Sequence, residues 1–261
     1  MPLTYNSYLK IEELLSLQEL KSPDEHDETL FIIIHQSYEL WFKQILHELD
    51  FIVKRIKTGD IPRVIHNLKR INTIFKVLVH QIDILETMTP LEFLSFRDYL
   101  ESASGFQSHQ FRELEYVLGL KSDIHLQRFP EGSAIRNILE KRFRSDSLWM
   151  GFLRYLHSLG YNIPATILES NPTLSTQPSE AVRQVLTDIY LNNTSMANLC
   201  EMLVDLDEGI QEWRYRHTKM VERTIGTKIG TGGSAGVEYL KNSLFIPLFP
   251  DLWIIRSEFK L

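Results

Sequence analysis

The chain has a single cysteine, Cys200, in 261 residues. That excludes disulfide frameworks, CxxC redox pairs, thiolate zinc sites, iron–sulfur clusters and CxxCH haem attachment, so any metal must be held by His, Asp or Glu. Cys200 sits among Met196, Leu199 and Met202, the setting of a buried, inert thiol. Long apolar runs are missing too: none approaches the roughly 18 uncharged residues of a membrane helix. The first residues, Met1-Pro2-Leu3-Thr4-Tyr5, show no basic region leading into an apolar one. A reduced, cytoplasmic setting is expected. No run of Lys or Arg exceeds two residues and the formal net charge is −6, which argues against nucleic acid as a partner. Strand-like alternation, fixed-period repeats and low-complexity tracts are also absent, so solenoids and disordered tails are not expected.

What is present is helical periodicity. Leu30, Ile34, Tyr38, Trp41, Phe42, Ile45, Leu49, Ile52 and Ile56 predict a helix from about Glu28 to Lys57, ended by Gly59. Ile65, Leu68, Ile71, Ile74, Phe75, Leu78 and Ile82 predict a second from Pro62 to about Glu86. Thr89-Pro90-Leu91-Glu92 is a capping-box sequence that starts a third, carrying Phe93, Phe96, Arg97 and Leu100 until Ser102 to Gly105 breaks it. Further helical stretches are expected over about 107–118, 134–142, 148–159 and 179–225, the last interrupted near Asn192 and Asp207. Residues 163–178, with three prolines, read as an ordered crossover or a mobile surface segment. Gly226, Gly230, Gly232, Gly233 and Gly236 follow a long helix directly, so this stretch is a hinge or a loop that wraps a ligand. A helix beginning near Val237 would follow it.

Two metal patterns fail on spacing. None of the nine histidines has Glu three residues before it, which removes a ferritin-like di-iron site, and His47-Glu48 has Phe51 where a zincin needs His. Gly230-Thr231-Gly232-Gly233-Ser234-Ala235 matches a dinucleotide fingerprint only superficially, because it follows a helix and no βαβ unit surrounds it. His35 shares a helix face with Phe31, Tyr38 and Phe42, and His217 has Trp213 one turn before it and Val221 one turn after. Each alone reads as a satisfied core histidine. Arg97, on a stripe with Phe93, Phe96 and Leu100, needs an anionic partner, either a buried carboxylate or a ligand.

Taken in order, however, the motifs carry more. Leu3-Thr4-Tyr5-x-x-Tyr8-Leu9, His26-Asp27-Glu28, Phe31-Ile32-Ile33-Ile34-His35-Gln36-x-x-Glu39-Leu40-Trp41-Phe42-Lys43, and Leu85-Glu86-Thr87-Met88-Thr89-Pro90 with Phe96-Arg97-Asp98-x-Leu100 all lie in the first hundred residues. Ser104-Gly105-Phe106-Gln107-Ser108-x-Gln110-Phe111-Arg112, Trp213-Arg214-x-Arg216-His217 and Ile225-Gly226-x-Lys228-x-Gly230-Thr231-Gly232-Gly233-Ser234-x-Gly236-Val237 follow. Together they resemble the tryptophan 2,3-dioxygenase family along essentially the whole chain. The resemblance implies one all-α domain over residues 1–261, a helical bundle enclosing a haem b that is active as Fe2+. It implies a cytoplasmic homotetramer, a dimer of dimers, that adds both atoms of O2 across the indole C2–C3 bond of L-tryptophan to give N-formyl-L-kynurenine.

By the same resemblance His217 is the axial ligand of the haem iron and His35 the catalytic distal residue that accepts the indole N–H. Arg97 clamps the substrate carboxylate, Thr231 meets its ammonium and carboxylate, Phe31 packs on the indole, and the segment 226–236 closes over it. Tyr5, Tyr8 and Leu9, within an N-terminal segment 1–20, complete a neighbouring subunit's pocket, and Ser104 and Gly105 line the haem. Phe93 stands where some bacterial relatives have tyrosine, which removes a hydroxyl from the carboxylate site, and His109 stands where leucine is more usual. A related haem protein acting on a substituted tryptophan or another indole, one inserting a single oxygen, or a haem sensor or carrier would share this framework.

Overall fold

Two long amphipathic helices and a third that returns along them set the frame, and the apolar spacing of each decides which face it buries. A computed structural model describes residues 2–230 and 236–259. Two short turns, α1 (Tyr5–Leu9) and α2 (Ile11–Leu15), come first and bury nothing. The antiparallel pair α3 (Glu28–Lys57) and α4 (Ile61–Leu85) follows, joined by a turn whose Gly59 has φ 72°. Thr89 opens α5 (Pro90–Arg97) with the expected reciprocal capping box. Serine side chains cap α6 (His109–Leu118), α7 (Ala134–Phe143) and α8 (Leu148–Ser158). A single helical turn, α9 (Ala165–Leu168), then leads to α10 (Glu180–Asn192), the long α11 (Thr194–Ile225), and the short α12 (Val237–Lys241) and α13 (Pro250–Ile254). Among the described residues there is no strand.

The core is the seam where α4 packs between α3 and α11. Ile45, Leu49 and Ile52 meet Leu68, Ile71, Phe75 and Leu78, and Leu199, Leu206 and Ile210 close the other side, all fully buried. Each such side chain contributes about 1.5–3 kcal/mol by leaving water. Gly209 lets α11 approach α4, because a Cβ there would lie 3.3 Å from the Phe75 side chain. The segment 163–178 is the ordered crossover of the two expected alternatives: Ser175 Oγ bonds to both the N–H and the C=O of Lys121, and the Thr176 N–H donates to the Gly119 carbonyl. Gly119, φ 100°, is required there, since a Cβ would come within 2.5 Å of Thr176 Oγ1.

Two boundaries differ from expectation. Leu100 lies in a 3-10 turn, Asp98–Leu100, rather than in α5, and α6 begins only at His109, after a second such turn at Gly105–Gln107. The break near Asn192 is real, with Asn193 capping α11 at the Met196 N–H, but no break occurs at Asp207. Aspartate disfavours helix interiors because its carboxylate competes for nearby backbone. Here that carboxylate is taken by tertiary partners: Oδ2 accepts from the N–H groups of Leu248 (2.8 Å) and Phe249 (3.0 Å) and from Trp253 Nε1 (2.9 Å), while Oδ1 accepts from Gln211. Asp207→Ala orphans three donors, two of them buried, and is expected to cost about 3 kcal/mol or more in urea unfolding, with Asp207→Asn losing less. Equal stability of Asp207→Ala and the parent would contradict this role.

Candidate active site

Helices α3, α5, α6 and α11, with the turn at Ser104-Gly105 and the ends of the glycine-rich stretch at Gly230 and Gly236, enclose a cavity of about 560 Å³. The volume lies within the range of small-molecule and cofactor sites. Phe31, His35, Phe93, Arg97, Ser104, Gly105 and His217 all line it, so seven of the residues singled out in the sequence come together. Thr231 lies outside the described residues. Tyr5, Tyr8 and Leu9 do not reach the cavity: they sit on α1, with Tyr5 73% and Tyr8 69% exposed.

Helical spacing makes the distal wall. Phe31 and His35, one turn apart on α3, have ring centroids 4.1 Å apart, and Phe93 and Phe96 of α5 pack against Phe31 and each other to complete an aromatic wall. His35 Nδ1 lies 2.7 Å from the Phe31 carbonyl. A carbonyl only accepts, so Nδ1 carries the hydrogen and Nε2 is left as an acceptor. Burial lowers the His35 pKa, against the opposing pull of the Phe31 carbonyl and Glu39.

Across the cavity, α11 presents His217 stacked on Trp213, one turn earlier, with ring centroids 5.1 Å apart and planes inclined by 12°. Trp213 is itself wedged by Tyr38, Phe42 and Phe111. Burial, reinforced by His35, pushes the His217 pKa down to about 4, so the imidazole is neutral at pH 7, the state in which it ligates a metal.

Arg97 ends α5 beside the glycine-rich stretch. Its Nη2 donates to the Ile229 carbonyl at 2.5 Å, and among the described residues no carboxylate pairs with it. Of the two expected partners, the buried structural carboxylate is therefore not what holds it. Gly236 has φ 60° and a Cβ there would lie 2.7 Å from the Lys228 carbonyl, so only glycine lets the chain return to the cavity rim at this point.

A second, cationic pole of the cavity escaped sequence reasoning. Arg112 and Arg214, both buried, share one buried carboxylate: Arg112 Nη1 lies 2.5 Å from Glu115 Oε2 and Arg214 Nη2 lies 2.9 Å from Oε1. Among the described residues Arg214 Nε and Nη1, Trp213 Nε1 and His125 Nδ1 have no hydrogen-bond partner. The His125 pKa is pushed to about 4 by burial and by Arg112, so it adds no charge at neutral pH and the cluster carries one net positive charge. All of these residues line the cavity. Arg112 and Arg214 stand in the quoted motifs, but no spacing rule joins residues on α6 and α11.

These features fit a haem. Among the described residues no three His, Cys, Asp or Glu side chains gather to cage a bare ion, whereas a single neutral imidazole suits iron already held by a macrocycle. The aromatic walls suit its faces, and the unpaired donors of the cationic pole suit its carboxylates.

Fold and site define a class: an all-α protein with an aromatic cavity that holds two buried histidines, His35 and His217, and has at its rim an arginine, Arg97, with no carboxylate partner among the described residues. The chain belongs to the tryptophan 2,3-dioxygenase family, whose sequence model matches residues 1–141 and 177–259. A tryptophan 2,3-dioxygenase of Herpetosiphon aurantiacus is 54% identical over 257 residues, covering 98% of each chain. Relatives of the same name from Anaeromyxobacter sp. (strain K), 51% identical over 98% of this chain and 96% of that one, and Caulobacter vibrioides, 42% identical over 98% of each, agree. The chain is accordingly an oxidoreductase of a haem-dependent family. No helix among the described residues is long and apolar enough to cross a membrane.

The shared carboxylate generates a prediction. Glu115→Gln leaves two buried guanidinium groups without a counter-charge and is expected to cost about 3–5 kcal/mol, the range for breaking a buried pair. A thermal unfolding midpoint that does not fall would contradict the role of Glu115 as their common counter-ion.

Proposed function

We propose that this chain, as a single catalytic domain over residues 1–261, adds both atoms of O2 across the C2–C3 bond of the L-tryptophan indole to give N-formyl-L-kynurenine. Membership of the family carries the proposal, supported by the apposition of neutral His217 and His35 in one aromatic cavity with Arg97 at its rim. Haem b is the cofactor, active as Fe2+. His217 would ligate the iron, the Arg112–Arg214–Glu115 cluster would meet haem carboxylates, and Ser104 and Gly105 would line its edge. When bound, the haem supplies the iron at which O2 is activated.

The remaining work belongs to side chains. His35 Nε2 accepts the indole N–H and so fixes which edge of the ring meets O2, while Phe31 packs on the indole face and Phe93 excludes water beside it. Arg97 meets the carboxylate with its planar fork, a geometry that Lys cannot reproduce. Because Phe93 supplies no hydroxyl, Arg97 carries more of that task. Thr231 meets the ammonium and carboxylate, and the segment 226–236 closes on the bound amino acid. Tyr5, Tyr8 and Leu9, in the segment 1–20, complete the pocket of a neighbouring subunit in a homotetramer built as a dimer of dimers. Their exposure, with that of Leu3 and Leu15, supports such a contact. A cytoplasmic location completes the reading.

The test is anaerobic reduction of the haem-loaded protein, addition of L-tryptophan and then O2, with product mass and the N-formylkynurenine absorbance followed together. A product two oxygen atoms heavier than tryptophan is expected; a one-oxygen product, or a haem spectrum with no product, would overturn the reading. His217→Ala is expected to lose haem on gel filtration, and full occupancy with an unchanged spectrum would refute the ligand. Arg97→Ala should retain haem while kcat/KM falls by the equivalent of roughly 2–5 kcal/mol. Since the His35 pKa is lowered, its acceptor form persists below the usual imidazole range. The rate should then stay level from about pH 8 to about 6.5, the ordinary imidazole value, and decline only in more acidic solution; a decline centred at or above that value would oppose the assignment.

A further inference from the structure

We propose that the chain carries a second ligand site, for a small organic ammonium ion, in a cavity of about 230 Å³ walled by α8, the 163–178 crossover and the starts of α10 and α13. The proposal does not rest on the dioxygenase reading. Trp149, Leu153, Ile167 and Val182 make the apolar lining, and two carboxylates line it as well: Asp146, which Arg154 Nε already pairs at 3.1 Å, and Asp251. Asp251 is 1% exposed. Its Oδ1 accepts from the Ser179 N–H at 2.7 Å and lies 3.5 Å from Arg183 Nη1, but its Oδ2 has no hydrogen-bond partner among the described residues. Arg183 is also shared, its Nε lying 2.9 Å from Glu258 Oε1, so one guanidinium serves two carboxylates. A buried carboxylate oxygen without a donor is costly, and because Arg183 is divided between Asp251 and Glu258, a cationic donor would both bond to Oδ2 and offset the charge that Arg183 leaves.

The lining decides the class of cation. A bare metal ion would require several oxygen ligands, whereas here much of the surface is apolar and one wall is an indole. An ammonium group on a short hydrocarbon or aromatic body satisfies both ends. At roughly 30 Å³ per water, the space holds about eight waters, which limits the body to a single ring or a short chain. Most of the wall comes from residues 146–176, which the family model leaves unmatched, while Ser179, Val182 and Asp251 lie in the matched part. Ser175, Thr176 and Gln177 line this cavity and the larger one alike, which places the second site against the wall of the first.

Calorimetric titration of the holoenzyme at neutral pH with benzylamine, which is protonated, and benzyl alcohol, its neutral equivalent in size, tests the idea. Benzylamine is expected to bind at one site at least tenfold more tightly than benzyl alcohol. Asp251→Asn should remove that preference. Leu174→Trp, at a 66% exposed position on the cavity rim that tolerates a larger side chain, should weaken both ligands tenfold or more, and it reads the site even if Asp251→Asn fails to fold. Equal affinity for the two probes, or benzylamine binding that survives Leu174→Trp undiminished, would overturn the proposal.

Discussion

The packing of α11 along α4 is the interaction on which the rest depends. With the α3–α4 seam it is one of the two most extensive helix–helix contacts among the described residues, and it fixes the rotation of the helix that presents Trp213, Arg214 and His217. A helix 32 residues long is held in one piece because Asp207, which could have broken it, gives its carboxylate to the main chain at 248–249 and to Trp253. The same contact ties the C-terminal turns to the bundle. Seam, cavity wall and chain terminus are thus one mechanical unit, and Gly209 sets how closely its two principal helices approach.

Electrostatically, the cavity is divided. Its middle is aromatic and holds two imidazoles kept neutral by burial, while the charges sit at its margins: Arg97 at the glycine-rich rim and the Arg112–Glu115–Arg214 cluster deeper in. Neutral imidazoles between cationic margins suit a planar apolar group bearing carboxylates, and they suit an amino acid whose ring must be dry while its carboxylate is clamped. Burial does two things at once here. It lowers the pKa of each histidine, and it makes every unpaired guanidinium donor costly until an anion arrives.

Much of this was legible in the chain itself. The spacing of Ile34, Tyr38, Phe42, Ile45 and Leu49 determined a helix and its buried face, Thr89 to Glu92 determined a start, and Gly59 a stop, because periodicity and capping are local properties. Ordered motifs determined the family and with it the residues worth placing. The two five-residue helices near the N-terminus were not legible, being shorter than the window in which a helical period can be read. Only tertiary structure decided that Asp207 stays helical, that Arg97 has no carboxylate partner among the described residues, and that Arg112 and Arg214 converge on Glu115. Most of these are settled by residues tens of positions apart in the chain, and what such a residue does depends on what packing brings to it.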